Sequence, residues 1–370
     1  MGVKFRRKIR HFSRDSCYLR GEINNRMEKI DIRTLPRTEL LDFLLSRGEK
    51  AFRAKQIEQW LWQKGVARFE EMGNLPRALR DLLGEHFETR PAAVSAARES
   101  RDGTAKLAVV FHDGQLAEMV VIPSRNKATA CISTQVGCKL RCSFCATGAI
   151  GFARDLEAAE IFDQVIIARK YLEERGMSLA NIVLMGMGEP LLNLDRVLDA
   201  ARRVTDPEAL AISPYRLTLS TAGIPEGIRR LADEGVRFHL AISLHSAVNA
   251  TRDRLMPINK AYPLEALSDA IAYFVQKTGT RPTIEYLLLD GVNDTPRQAE
   301  ALARFCRAFP VKVNIIEYHP VDGSPYRRSR PETRDRFVAF LESKNMVVNT
   351  RRSRGEDIDA ACGQLANKSR

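Results

Sequence analysis

The sequence predicts an α/β protein whose main body is a parallel sheet curled into an open, partial (β/α)6 TIM-like barrel. A small N-terminal helical accessory domain and a β-hairpin extension precede it. Three observations carry this reading. From about residue 124 onward, apolar runs of strand length alternate with segments of helix length, six times over. Pro225, Pro263 and Pro296 stand near the heads of three helical segments, where a missing N–H costs little. Glycines, serines, histidines and thiols gather at the ends of the strand candidates, the working end of a parallel barrel.

Residues 1–26 are basic, polar and aperiodic, with Lys4, Arg6, Arg7, Lys8, Arg10 and Arg14. They read as a tail that seeks RNA, or as a stretch ahead of a true start at Met27. Residues 27–92 turn helical. Leu40, Leu41, Leu44 and Leu45 recur on one face, followed by Ile57, Trp60 and Leu61, then Leu79, Leu82 and Leu83. Gly48, Gly65 and Leu75-Pro76 punctuate this domain, and Arg47, Lys50, Arg53 and Lys55 gather near one turn. Within residues 93–123, the runs 105–110 and 118–122 flank His112-Asp113-Gly114 and predict the hairpin.

The barrel is expected over residues 124–357. Its strands are predicted at 128–134, 181–185, 216–220, 239–243, 283–289 and 311–317, with helices at 194–204, 225–234, 263–277 and 296–308 among those between them. Residues 358–370 form a C-terminal segment that carries Cys362.

At 370 residues the chain has room for one large domain and a smaller one, and its 44% hydrophobic and 28% charged content is ordinary for a globular protein. The formal charge of +12 suits an anionic partner such as RNA, although a solvated basic face would look the same. Seven cysteines, an odd number, do not read as a disulfide framework. No run of about 18 apolar residues argues for a membrane span. The basic N-terminus lacks the apolar core of a secretory signal. A reducing cytoplasm is the expected compartment.

Cys138, Cys142 and Cys145 are spaced C-x3-C-x2-C with no fourth cysteine nearby. The spacing is the one used by radical S-adenosylmethionine (SAM) enzymes, in which three cysteinates hold a [4Fe-4S] cluster and the fourth iron stays open for the cofactor. A structural zinc site is the bland alternative, but zinc takes four ligands, commonly as two separated pairs. His245 and His319 are candidates to complete one, although each follows a different later strand.

Met185-Gly186-Met187-Gly188-Glu189-Pro190 closes the second strand. Glycines there permit close backbone approach to a ligand, and Glu189 suits an ammonium group. Such turns are also glycine-rich for packing alone. Ser220 and Ser243-Leu244-His245 lie at strand ends as well, and each taken singly reads equally as a satisfied turn residue. Cys17 and Cys306 read as small hydrophobes. Cys131 stands in the first core strand, and Cys362 is set between the small residues Ala361 and Gly363.

Taken together, Gln135-Val136-Gly137-Cys138 with the cysteine triplet, Gly186 to Leu191, Leu219-Ser220-Thr221, Ser243-Leu244-His245 and the tail from Asp357 to Leu365 resemble the RlmN/Cfr family of radical SAM RNA methyltransferases. Phe52-Arg53-Ala54-Lys55-Gln56 is similar to the accessory domain of that family, and the likeness runs from about Met27 to Leu365, closest to the RlmN type.

The resemblance implies methylation of adenosine C2 in 23S rRNA and in tRNA, with two SAM molecules consumed. Cys138, Cys142 and Cys145 would hold the cluster. Gly188, Glu189, Ser220, Ser243, Leu244 and His245 match the family's SAM contacts. His319 falls where the RlmN type usually has Asn, and either residue can hydrogen-bond adenine or ribose. Cys362 matches the cysteine that first receives a methyl group, and a radical drawn from that S-methyl then adds to C2. Glu118 matches the base that takes the C2 proton. Cys131 matches the thiol that releases the product through a Cys131–Cys362 disulfide.

A small reducing protein such as flavodoxin or ferredoxin is the implied electron donor, and a monomer with no membrane partner is expected. Arg351, Arg352 and Arg354 are candidates for RNA docking. Two rival functions share some of these features. One is C8 methylation of the same rRNA adenosine, the Cfr activity. The other is a non-catalytic Fe-S RNA-binding or ribosome-assembly protein, which the basic charge fits equally well. An Fe-S electron carrier fits poorly, since a single three-cysteine site sits in a barrel of catalytic type.

Overall fold

The computed structural model of the chain describes residues 29–351 and 353–366. The basic tail, Cys17, Met27 and Arg352 lie outside the described residues.

Ten strands of the described residues join in one sheet. They are β1 (Ala93–Glu99), β2 (Ala105–Val110), β3 (Leu116–Ser124), β4 (Lys127–Cys131), β5 (Ser178–Leu184), β6 (Leu217–Thr221), β7 (His239–Ser243), β8 (Thr283–Leu288), β9 (Lys312–Glu317) and β10 (Val348–Arg351). Spatial order follows chain order throughout. Strands β1 to β4 pair antiparallel, whereas β4 to β10 pair parallel. The six expected barrel strands are present with ends shifted by a few residues.

Two strands go beyond the expectation. β10 is a seventh parallel strand that leads straight into the C-terminal segment. Its Asn349, Thr350 and Arg351 are exposed, so it lacks the apolar run that marks a buried strand. β1 makes the expected hairpin three-stranded; it too is largely exposed and shows no alternation. The hairpin turn itself closes as the sequence implies: Gln115 N–H donates to Asp113 Oδ1 at 3.0 Å, and Gly114 takes φ +76°.

The crossover helices carry their apolar faces inward. Helices α1 (Arg37–Ser46), α2 (Phe52–Glu58) and α3 (Arg77–His86) form the N-terminal domain, and α4 (Ala146–Ala149), α5 (Ala158–Glu173) and α6 (Leu194–Thr205) follow in the barrel. After them come α7 (Pro225–Asp233), α8 (Asn249–Leu255), α9 (Leu264–Thr278), α10 (Pro296–Cys306) and α11 (Pro331–Ser343). Ile228 and Leu231 of α7 and Leu267, Ile271 and Phe274 of α9 are buried in the same core as Ile284 and Tyr286 of β8. Cys306 is buried on α10, as a small hydrophobe would be.

The N-terminal domain is fastened to the outside of the barrel. Leu40, Leu44, Ile57, Leu61, Leu79 and Leu83 are buried, while Leu45, expected on the same face, is 51% exposed. Trp62 packs edge-on against Phe162 of α5 with ring centroids 5.1 Å apart, and Arg33 pairs with Asp163 at 2.6 Å. Gly65 adopts φ +61°, and a Cβ there would come within 2.9 Å of Ile166. Arg53 and Lys55 are engaged within the protein, Arg53 near Glu49 at 3.8 Å and Lys55 on Glu208 at 2.5 Å.

Candidate active site

Beyond β4 the chain runs through the buried residues Ile132, Ser133 and Thr134. Residues Gln135–Gly137 then pair antiparallel with Phe152–Asp155, and this small ribbon encloses the cysteine loop. Gly137 makes the ribbon possible, because at φ +77° a Cβ would lie 1.9 Å from Gly151 O. Cys138 N–H donates to Gly151 O at 2.8 Å, the loop reverses at Arg141 with φ +52°, and Cys145 N–H donates to Cys142 O at 3.1 Å.

Cys138, Cys142 and Cys145 are half-buried, and they pack against one apolar cluster that contains Leu140, Phe144, Leu255 and Met256. Burial pushes the Cys138 thiol up to about 12, with Cys145 and Glu189 adding to it. Cys142 is pushed up further by burial and by its two neighbouring cysteines. Metal binding must therefore displace protons here.

The donor set fits a [4Fe-4S] cluster. Among the described residues, no three His, Cys, Asp or Glu side chains gather as ligands of one metal ion would. A lone structural zinc takes four ligands, whereas this loop offers three cysteines. A cluster places each thiolate on a different iron and accepts three ligands set wider apart. In both His245 and His319 it is Nδ1 that is engaged, by Leu287 N–H and by Arg328.

The loop after β5 lies directly on the first. A Cβ at Gly186 would meet Ser133 Oγ at 2.6 Å and Ile132 O at 2.7 Å, and a Cβ at Gly188, where φ is +105°, would meet Gln135 Cβ at 2.6 Å. The packing reading of these glycines is therefore the one the protein's own atoms support. Gly188→Ala is expected to cost about 1–3 kcal/mol through left-handed backbone strain and overpacking. A fall in the thermal unfolding midpoint checks this, and an unchanged midpoint would refute it.

Glu189 is buried between these loops. Its Oε1 accepts from Leu191 N–H at 3.1 Å and its Oε2 from Ala222 N–H at 2.7 Å. Burial raises its pKa, and those hydrogen bonds with one from Thr221 oppose the rise. A carboxylate so held keeps further lone pairs for a ligand cation.

Ser220 and Ser243 close β6 and β7, half-buried, with their Oγ atoms 3.4 Å apart. Leu244 N–H donates to Glu285 O at 3.0 Å. His245 adopts φ +55°, and its Nδ1 accepts from Leu287 N–H at 3.1 Å, which puts the ring hydrogen on Nε2. Burial, then Arg252, pushes its pKa down to about 3, so the ring is a neutral donor. Phe144 of the cysteine loop meets it edge-on at 4.9 Å.

His319 is buried after β9. Arg328 Nη2 donates to its Nδ1 at 2.8 Å, Glu356 Oε1 lies 3.1 Å from the same nitrogen, and its buried Nε2 has no partner among the described residues. An orphaned buried ring nitrogen suits a ligand contact.

The C-terminal segment is pinned across the barrel mouth. Gly355 N–H donates to Asp102 Oδ2 at 3.1 Å, Arg101 N–H to Asp357 Oδ2 at 3.2 Å, and Lys106 Nζ to Asp359 O at 3.3 Å. Past Cys362, Ala146 N–H donates to Gly363 O at 2.8 Å and Thr147 Oγ1 to Leu365 O at 2.7 Å. Ala146 directly follows Cys145, so Cys362 is carried to the edge of the cysteine loop.

Cys362 is exposed, yet enough protein surrounds its sulfur to push the thiol up to about 11. Glu285 and Cys145 add to that rise and Arg351 opposes it. Cys131 is held at about 12, by burial first and Cys362 second. Cys362, remote in sequence, is thus close enough to raise the Cys131 thiol.

Glu118 is fully buried on β3. Its Oε1 lies 3.5 Å from Lys106 Nζ, and its Oε2 accepts from Ala366 N–H at 2.9 Å. Arg351 comes within 3.4 Å of Glu285, and Arg354 donates to Pro123 O at 3.1 Å. Sequence reasoning missed Lys106, Arg252 and Glu285. Lys106 and Glu285 each interrupt an apolar strand, which was a readable signal; Arg252 in Thr-Arg-Asp-Arg-Leu carried none.

Residues 30–89 match the ribosomal RNA large subunit methyltransferase N-terminal domain, and residues 132–306 match the radical SAM superfamily. The "Probable dual-specificity RNA methyltransferase RlmN" of Flavobacterium johnsoniae is 46% identical over 345 residues, covering 92% of this chain and 98% of that protein. The chain belongs to the RlmN family. The dual-specificity RNA methyltransferase RlmN of Alkalilimnicola ehrlichii is 44% identical over 90% of this chain and 93% of its own length. A radical SAM methyltransferase from Sphaerobacter thermophilus superposes with a TM-score of 0.86 at 38% identity, over 91% of this chain and 99% of that one.

As an RlmN-family member the chain is a radical SAM RNA methyltransferase, and radical SAM enzymes use a [4Fe-4S] cluster and SAM. The radical SAM match ends at Cys306, so His319 and the RlmN-type C-terminal segment with Cys362 lie beyond it. Among the described residues no helix is long and apolar enough to cross a membrane.

Proposed function

We propose that this enzyme methylates C2 of an adenosine in 23S rRNA and in tRNA, with Cys362 as the carbon carrier and Cys131 as the releasing thiol. One observation carries the reading. Cys362 comes near enough to Cys131 at the barrel mouth to push that thiol's pKa up, and its own segment is hydrogen-bonded to Ala146, next to the loop of Cys138, Cys142 and Cys145.

Cys138, Cys142 and Cys145 hold the cluster, and Gly188, Glu189, Ser220, Ser243, Leu244, His245 and His319 surround SAM. When bound, the cluster and SAM supply the electron and the carbon radical that remove hydrogen from an S-methyl group. Cys362 is protonated at neutral pH and gives up its proton as it takes the first methyl by displacement. Arg351 favours that thiolate.

Carbon transfer to C2 leaves enzyme and RNA joined through Cys362. Glu118 takes the C2 proton, which requires the C-terminal segment to release its carboxylate. The Cys131 thiolate then attacks the Cys362 sulfur and the S–C bond breaks. The freed carbon takes a proton to complete the methyl, the one electron left from the radical addition would pass back to the bound redox centre, and a disulfide remains for an external dithiol to reduce. Electrons for the cluster come from a small reducing protein such as flavodoxin or ferredoxin, in a reducing cytoplasm, with the enzyme a monomer.

The test is anaerobic reconstitution with iron and sulfide, reaction with rRNA and tRNA, and mass spectrometry of the digested nucleosides. 2-Methyladenosine is expected from both RNAs. Finding only 8-methyladenosine would overturn the assignment.

A further inference from the structure

Arg252 on α8 is fully buried, and its guanidinium makes its hydrogen bonds to neutral acceptors. Nε donates to Leu244 O at 3.1 Å, Nη1 to Asn259 Oδ1 at 2.8 Å, and Nη2 to Ala222 O and, at 3.5 Å, to Ser243 O. No carboxylate of the described residues lies within ion-pair distance of it. Burying a cation with no direct ion pair costs several kcal/mol; burial draws the guanidinium down to about 10, and Cys142, then Asp253, oppose that fall only in part. Such a group persists where an anion arrives later.

The surroundings say where that anion sits. Ala222, whose carbonyl Arg252 holds, shares an apolar cluster with Leu140 and Phe144, and the three loop cysteines pack on that cluster. Ser143, between two of those cysteines, donates from its N–H to Leu255 O at 2.9 Å, the last residue of α8. Arg252 thus lies beneath the cysteine loop, and its charge eases the ionisation of Cys142.

We propose that Arg252 is the buried counter-charge of the cluster held by Cys138, Cys142 and Cys145. It offsets the net negative charge that three thiolates bring, and it raises the reduction potential by favouring the more negative, reduced form. The same guanidinium ties the ends of β6 and β7, so Ser220 and Ser243 keep their places while the cluster changes charge. The inference rests on the cluster ligands proposed above, and not on which adenosine carbon is methylated.

The test uses the full chain, reconstituted anaerobically, as wild type, Arg252→Gln and Arg252→Lys. Iron and sulfide content is measured first. The fraction of reduced cluster is then followed by electron paramagnetic resonance during a redox titration, without SAM or RNA. At a fixed potential, R252Q is expected to lower the reduced-to-oxidised ratio about tenfold, equivalent to about 59 mV for one electron. R252K is expected to return it to the wild-type value. A loaded R252Q protein with the wild-type ratio overturns the proposal.

Should R252Q fail to fold or take up iron, R252K decides. Normal iron content with a wild-type midpoint supports a charge requirement. Absent iron, or a lowered midpoint, shows that the fork and not the charge matters. Wild-type protein that binds no iron would sink the cluster assignment instead, whereas a shifted midpoint in an enzyme that makes no 2-methyladenosine would sink only the methylation reading.

Discussion

Cys362→Ala is expected to abolish RNA methylation, a loss of roughly a thousandfold or more, because no other residue can carry the methyl carbon to the substrate. The side chain is exposed, so its removal leaves the fold within about 0.5 kcal/mol. The hydrogen bonds that dock its segment come from the backbone of Gly363 and Leu365 and survive the change. The variant should therefore load iron and melt as the wild type does. The measurement is transfer of labelled methyl from SAM, scored on protein and on RNA; both should be empty. Methylated RNA from C362A at the wild-type rate would end the proposed mechanism.

Cys131→Ala should fail one step later and in a different way. Methyl transfer to Cys362 and carbon transfer to RNA do not need the second thiol, so both proceed once. Without Cys131 the Cys362–carbon bond has no attacking partner. A covalent protein–RNA adduct should then accumulate toward one per chain, while free product falls by about a hundredfold or more. A retarded band on a denaturing gel that nuclease trims but does not remove identifies it. The double variant C131A/C362A should show no adduct. Released 2-methyladenosine from C131A at the normal rate would remove Cys131 from the reaction.

Much of the architecture was legible in the sequence. β7 stands where its pattern put it, because Leu240, Ala241 and Ile242 form a buried apolar run that a parallel strand demands. Strands β1 and β10 were not legible, since both are largely exposed and solvent imposes no pattern on them. Leu45 shows the opposite error, an apolar residue at the right helical spacing that stays outside.

The site divides in the same way. The cysteine triplet is a property of one loop, and its spacing already restricts the ligand it suits, since eight consecutive residues cannot separate far. Gly186 and Gly188 read equally as a ligand cradle or as packing, and only the structure shows that a Cβ at either would meet Ser133 or Gln135, a contact between two loops that no local pattern records. Arg252 was invisible because its partners are mostly backbone carbonyls, which every residue type presents alike.

By itself, then, the sequence determined the order of strands and helices and the cysteine loop, because periodicity and short spacing are local properties of the chain. Only the tertiary structure decided that Cys362 comes within electrostatic reach of Cys131, that Glu118 is enclosed by Lys106 and the C-terminal segment, and that a buried guanidinium held by neutral acceptors lies near the cysteines. Those outcomes depend on how the sheet curls and on hydrogen bonds such as Ala146 to Gly363. Such bonds join peptide groups, and a peptide group has no letter in the sequence.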